Sequence, residues 1–193
     1  MIRREEPFKL LITTILSQRT RDENTRRASK NLFSRVKTPE EILELSEKEL
    51  EELIKPSGMY RQKARKIKEV CRILLKEYDG KVPKTREELM KLPGVGLKTS
   101  NIVLSYGYGK PVIAVDVHVE VISKRLGLVP LKASVEEVEN ELEVLIPPED
   151  RWIVNLGLVK FGKEVCITRK PRCNICPLNK MCCFYEGRIT KTF

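Results

Sequence analysis

Two regions of the 193-residue chain carry side chains whose type and spacing suit chemistry. The first is Leu92-Pro93-Gly94-Val95-Gly96-Leu97-Lys98-Thr99, where a lysine follows a pair of glycines at the opening of an apolar helical pattern. Glycines reach backbone angles that other residues avoid, and they let backbone N–H groups approach a phosphate at the start of the next helix. Contacts of that kind position a nucleic acid without reading its bases. Lys98 stands just inside the helix, where the dipole disfavours a cation. Neighbouring positive charge raises the neutral fraction of a lysine, and a neutral amine is a nucleophile able to form a Schiff base. The stretch is too short for a P-loop, and no strand precedes it as a dinucleotide fingerprint requires. Taken alone it also reads as a plain helix–helix turn carrying an ordinary surface lysine.

The second region is the C-terminal end. Cys166, Cys173, Cys176, Cys182 and Cys183 fall within 18 residues, and only Cys71 lies elsewhere. An intracellular chain keeps such thiols reduced unless a metal holds them. The spacing Cys166-x6-Cys173-x2-Cys176-x5-Cys182 has one short gap between two longer ones, unlike the paired knuckles of structural zinc. Four thiolates also suit a [4Fe–4S] cube, and the spacing alone leaves iron against zinc open. Cys71 falls on an apolar helix face and reads as core. Between the first two cysteines, Arg169, Lys170 and Arg172 offer cations to phosphates, or simply form a solvated basic loop. Asp116 follows the apolar run Val112-Ile113-Ala114-Val115 and suits the N-cap of a helix beginning near Val117. Asp116-x-His118 resembles a metal pair, but no third ligand is near, and His118 reads as structural.

The elements that must hold these residues are helical. Phe8, Leu11, Ile12, Ile15 and Leu16 mark one apolar face, and Asp22 suits the cap of a helix carrying Ala28, Leu32, Phe33 and Val36. Capping boxes are expected at Thr38–Glu41, Ser46–Glu49, Thr85–Glu88 and Ser134–Glu137. A long helix is expected from Tyr60 to Tyr78, ended by Asp79-Gly80. Only Pro111–Val115 reads as extended, too short and solitary for a sheet. The expectation is an all-α fold with its best internal boundary at Tyr106-Gly107-Tyr108-Gly109-Lys110-Pro111.

Lys and Arg outnumber Asp and Glu by 37 to 27, a net charge of +10, which favours a polyanionic partner, nucleic acid first of all. No apolar run approaches the ~20 residues that span a membrane, and the N-terminus lacks the apolar core of a signal peptide. A cytoplasmic protein with no membrane partner is expected.

Leu92-Pro93-Gly94-Val95-Gly96-x-Lys98-Thr99 resembles the helix-hairpin-helix of the endonuclease III family of DNA glycosylases. Ala114-Val115-Asp116-Val117-His118 resembles that family's catalytic aspartate segment, and the cysteine spacing equals that of its cluster loop. The motifs stand in matching order along nearly the whole chain. The resemblance implies a two-lobed helix-hairpin-helix DNA glycosylase fold: a helical barrel domain over 1–110 and an iron–sulfur cluster domain over 111–193, with DNA across the cleft. It implies Lys98 as the nucleophile at C1′ of the damaged nucleotide and Asp116 as its partner. A [4Fe–4S] cluster on Cys166, Cys173, Cys176 and Cys182 is implied, structural and DNA-positioning, with Cys183 spare. Leu92, Gly94, Val95 and Gly96, with Arg169, Lys170 and Arg172, are the implied backbone contacts.

Chemistry on a base within a duplex requires flipping it out, and the family fills the hole from two loops. Here they match Leu16–Thr20 and Ser57–Tyr60. Gln18 and Arg19 are both candidates for the polar plug, and Met59 for the apolar wedge. Arg61, Lys63, Arg65 and Lys66 either line the phosphate path or form a solvated face. The implied function is base excision repair: removal of oxidised pyrimidines of the thymine glycol type, then AP lyase β-elimination through a lysine Schiff base. The implied partner is double-stranded DNA with damaged bases or abasic sites, met by a monomer at the nucleoid. The alternatives are a mismatch glycosylase of the same superfamily, acting on G·T or G·U, and a non-catalytic iron–sulfur DNA-binding protein. The family also has a helix ahead of the segment matching Pro7–Leu11, so either the start is truncated or the cluster domain is expected to leave an apolar surface uncovered.

Overall fold

The computed structural model describes residues 5–187. Met1–Arg4, on which the reading of the N-terminus partly rests, lie outside the described residues, as do residues 188–193. The described residues form ten α-helices and no strand, in two compact units, Met1–Lys110 and Pro111–Phe193.

In the first unit, helix α1 (Pro7–Ser17) opens with proline at its first position, and the Glu6 carboxylate accepts from the N–H groups of Phe8 (2.9 Å) and Lys9 (2.6 Å). Seven of its residues, from Phe8 to Leu16, are buried, so α1 is the central helix of this unit. Helix α2 (Asp22–Phe33) packs along it. Asp22 is the first residue of α2 rather than its cap; Arg21 holds the cap position without a side-chain bond. Helices α3 (Pro39–Glu44) and α4 (Glu47–Ile54) pack on the long α5 (Tyr60–Tyr78), whose stripe of Ala64, Ile67, Val70, Cys71 and Leu74 is buried. Helix α6 (Arg86–Met90) turns into α7 (Leu97–Ile102), which runs on through a π turn at Val103–Gly107.

In the second unit, Pro111–Val115 is extended and unpaired with any strand. Helices α8 (Val117–Leu126), α9 (Val135–Leu145) and α10 (Arg151–Glu164) follow. Their core is Ile113, Val115, Val119, Val129, Ala133, Val138 and Leu142. Val144 and Leu145 on α9, and Ile153 and Leu156 on α10, are exposed. Beyond α10 the described chain has only short 3₁₀ turns, at Cys173–Ile175 and Asn179–Met181.

Of the four expected capping boxes, those at Ser46 and Ser134 close reciprocally. At Thr38 the Glu41 carboxylate reaches one residue further back, to the N–H of Lys37, and at Thr85 the Glu88 carboxylate pairs with the Thr85 hydroxyl.

Candidate functional site

The turn Leu92–Gly96 joins α6 to α7. Leu92 and Val95, expected among the hairpin's DNA contacts, turn their side chains into the core, 2% and 6% exposed. The N–H of Val95 closes the turn on the Leu92 carbonyl (3.1 Å). The two glycines serve different ends. Gly94 has φ +80°, and a Cβ there would stand 3.2 Å from Lys66 Cδ, so the chain itself demands glycine. Gly96 has an ordinary extended backbone (φ −105°, ψ −173°), and a Cβ there would meet nothing within 4 Å. Its glycine leaves bare backbone beside open space. Thr99, Ser100 and Asn101 anchor α7 in the core, with Ser100 Oγ donating to the Leu97 carbonyl (2.8 Å), while Lys98 is exposed.

The hairpin is joined to the α1–α2 loop. Gln18 Nε2 donates to the Gly94 carbonyl (2.7 Å). Arg19 (φ 53°) and Met59 (φ 47°) both hold the left-handed conformation; among the described residues only one other non-glycine does, Asp79 at the end of α5. Gln18, Arg19, Met59, Gln62, Lys63 and Lys66 line one open hollow of about 330 Å³. A larger groove of about 660 Å³ runs between α1 and α2, past Thr13, Arg26 and Phe33, and includes none of the candidate residues. Arg61 and Arg65 are exposed and pair with Glu51 (3.8 Å) and Glu47 (3.2 Å). Lys63, expected on the same solvated face, is instead buried.

In the second unit Asp116 caps α8: its Oδ1 accepts from the N–H groups of His118 (2.9 Å) and Val119 (3.0 Å). Asn155, which sequence reasoning missed, donates to the Ala114 carbonyl (2.7 Å) and ties the extended segment ahead of Asp116 to α10. His118 packs where Gly162 has no side chain, with Nδ1 2.4 Å from the position a Cβ would take, in keeping with a structural histidine.

Cys166, Cys173, Cys176 and Cys182 line a single hollow with Ile122, Phe161 and Arg125. No imidazole or carboxylate lines it, so the donor set is all sulfur. Among the described residues no three His, Cys, Asp or Glu side chains converge as for a single metal ion; the thiols ring the hollow. Burial first, then the neighbouring Cys166, Cys182 and Cys176, push the Cys173 thiol above its usual pKa. Cys183 faces Gly127 instead, its Sγ 2.4 Å from where a Cβ would stand, which fits its exclusion from the ligand set. Arg169, Lys170 and Arg172 are exposed on the loop between the first two thiols.

Arg125 organises this loop and was not foreseen. It is fully buried, and its guanidinium donates to Cys166 Sγ (3.3 Å) and to the carbonyls of Cys166 (3.4 Å), Ile167 (3.2 Å) and Thr168. It also stacks over Phe184 (4.9 Å). The sequence signal was a cation one helical turn beyond Val121 and Ile122, where α8 calls for an apolar residue.

An all-helical fold with a glycine hairpin, a net positive charge and a hollow ringed by four cysteines defines a helix-hairpin-helix protein of nucleic-acid chemistry. Residues 12–148 match the family model of the HhH-GPD superfamily base excision DNA repair proteins. The endonuclease III of Thermotoga maritima is 52% identical over 184 residues, 95% of this chain and 85% of that one. A trapped endonuclease III–DNA covalent intermediate superposes with a TM-score of 0.88 at 42% identity, covering 97% of this chain and 88% of that one. A thermostable thymine-DNA glycosylase superposes with a TM-score of 0.84 at 31% identity, covering 96% and 87%. The chain belongs to the HhH-GPD superfamily of base excision DNA repair proteins and, within it, to the endonuclease III family. It is a DNA glycosylase with AP lyase activity, and the lower identity to the thymine glycosylase disfavours the mismatch alternative.

Proposed function

We propose that the enzyme removes oxidised pyrimidines of the thymine glycol type from double-stranded DNA and cuts the strand through a Schiff base on Lys98. The observation that carries this reading is Lys98 itself, exposed as the second residue of α7 and directly behind the bare backbone of Gly96. The Lys98 amine forms a bond to C1′ as the glycosidic bond breaks and the base leaves with its electron pair. Loss of an amine proton and opening of the sugar ring give an iminium at C1′. A proton then leaves C2′, the 3′ C–O bond breaks and the phosphate departs; water releases the lysine. Asp116 supplies a carboxylate that assists deprotonation of the amine and stabilises positive charge on the sugar. The trapped covalent DNA intermediate of the endonuclease III relative supports a mechanism that passes through an enzyme–DNA bond.

Gly94 and Gly96 bring the hairpin backbone to a phosphate, and Arg169, Lys170 and Arg172 contact phosphates from the cysteine loop. Arg19 and Met59 are the plug and the wedge; Gln18, tied to the Gly94 carbonyl, braces them. Cys166, Cys173, Cys176 and Cys182 hold a [4Fe–4S] cluster, which acts as the cross-link of its loop. The enzyme acts as a monomer in the cytoplasm, associated with the nucleoid; no helix among the described residues is long and apolar enough to cross a membrane.

Borohydride trapping tests this. A covalent adduct on a thymine glycol duplex, abolished by Lys98→Ala, is expected. An adduct on an abasic duplex alone would keep the nucleophile and remove the proposed lesion. No adduct on either duplex would overturn the mechanism.

A further inference from the structure

Lys63 has no part in the chemistry above, yet it is only 5% exposed. Its stem begins the buried stripe of α5 that Ile67, Val70 and Leu74 continue. Its ammonium uses all three of its donors. They go to the Leu16 carbonyl at the end of α1 (2.8 Å), to Thr20 Oγ1 in the α1–α2 loop (2.7 Å) and to the Ser57 carbonyl ahead of Gly58-Met59 (2.8 Å). The Thr20 hydroxyl, having accepted from Lys63, turns its own proton to the Ser57 or the Gln18 carbonyl. One buried cation and one hydroxyl therefore join two turns from distant parts of the sequence.

Each joined turn carries one of the strained tips, Arg19 in the first and Met59 in the second. A left-handed backbone is costly for a residue with a Cβ, and it persists only where the surroundings over-determine it. The three acceptors of Lys63 flank those tips. Leu16 lends a carbonyl from the last turn of α1, where helix carbonyls lack intrahelical partners and a cation complements the dipole.

We infer that Lys63 is a positioning residue that holds the Arg19 and Met59 tips as one rigid pair, so that plug and wedge enter the duplex together. The inference rests on the plug-and-wedge reading above. An apolar filler cannot replace the ammonium, because the Leu16 carbonyl would then lose its donor and the Ser57 carbonyl would keep only the Thr20 hydroxyl. Burial pushes the Lys63 pKa down to about 8, which leaves the amine mostly charged at neutral pH. All three bonds are then available where the enzyme works.

The test uses the full chain with Lys98→Gln, which keeps the strand intact, and a duplex with 2-aminopurine opposite thymine glycol. Saturating protein should raise the 2-aminopurine fluorescence as the tips unstack that base. Adding Lys63→Met should cut the rise about fivefold or more while DNA affinity falls far less. With Lys98 intact, Lys63→Met should slow excision from the paired lesion about tenfold more than it slows trapping on an abasic duplex, where extrusion costs less. Thr20→Val, which removes only the bridging hydroxyl, should act in the same direction more weakly, and it decides the matter if Lys63→Met does not fold. An undiminished fluorescence rise in the variants, or equal slowing on both duplexes, overturns the inference and leaves Lys63 a merely structural residue. No rise from the parent protein instead overturns the plug-and-wedge reading, and the inference falls with it.

Discussion

The two parts proposed to face DNA are held in place by different means. The hairpin and its neighbouring loops grow out of an apolar core: Leu89, Leu92 and Val95 lie beneath the turn, the Gln18–Gly94 bond ties it to the α1–α2 loop, and the Lys63 bonds join that loop to the turn ahead of α5. The cysteine loop has almost no core of its own. Beyond α10, Cys182 is the one buried apolar residue among those described, and the backbone makes only short turns. What organises it is polar: a buried guanidinium and a ring of thiols. A segment without apolar burial cannot offset its conformational entropy unaided. The first region is thus complete as folded chain, while the second depends on what the thiols bind.

Removing the proposed cluster should widen that contrast most. Chelation, or Cys173→Ala with Cys176→Ala, should bring hydrogen exchange across 166–182 close to unfolded rates while α1 and α5 stay protected. DNA affinity should fall about tenfold or more as three cations lose their positions. Protection retained across the loop would place its order in the chain and erase the contrast.

Arg125→Met should come next. It leaves the carbonyls of Cys166, Ile167 and Thr168 short of a donor. A loss of about 3 kcal/mol, read by denaturant titration, is expected. Within the hairpin, Gly94→Ala should cost about 1–2 kcal/mol, because it forces a Cβ into φ +80° beside Lys66. Gly96→Ala should leave the melting temperature unchanged and weaken DNA binding several-fold, about 1 kcal/mol, because its Cβ enters only open space, where a phosphate is proposed to sit. Equal losses of stability in the two variants would show that both glycines serve the turn alone.

The smallest effect concerns pH. The Lys63 pKa is about 8 in the folded protein against 10.5 for an ordinary lysine. Between those values the unfolded chain holds the proton and the folded protein has shed it, so stability rises with pH across that window. The bridge weakens over the same range, since a neutral amine has only two N–H donors for three acceptors. The charged groups lining the hollow with Lys63 are Arg19 and Lys66. Relative to Lys63→Met, the wild-type denaturation midpoint should climb from pH 8 to 10 while its 2-aminopurine signal declines. A parallel course of the two proteins would remove the effect.

Much of the fold was legible because the signals were local. The α5 stripe, its Asp79-Gly80 stop, the Asp116 cap and the Ser46 and Ser134 boxes all follow from spacing within a few residues. Asp22 misled because an acidic residue serves a helix start either as cap or inside the first turn, and charge alone does not distinguish them. Lys63 and Arg125 were missed for one reason. A cation at a buried helical position reads as a break in the apolar pattern, and its carbonyl acceptors come from turns that no periodicity links to it. Leu92 and Val95 show another limit: a hairpin motif names the residues around a phosphate without saying which contribute backbone and which fill the core.

The cap on α8 has a consequence for descent. Asp116 holds its helix with a single carboxylate oxygen, and asparagine, serine or threonine can accept the same N–H bonds. The charge proposed for catalysis is therefore not required by the cap. A descendant can lose that charge in one substitution and still cap its helix. Only selection for repair, acting generation after generation, keeps such a lineage from drifting into a silent DNA-binding protein.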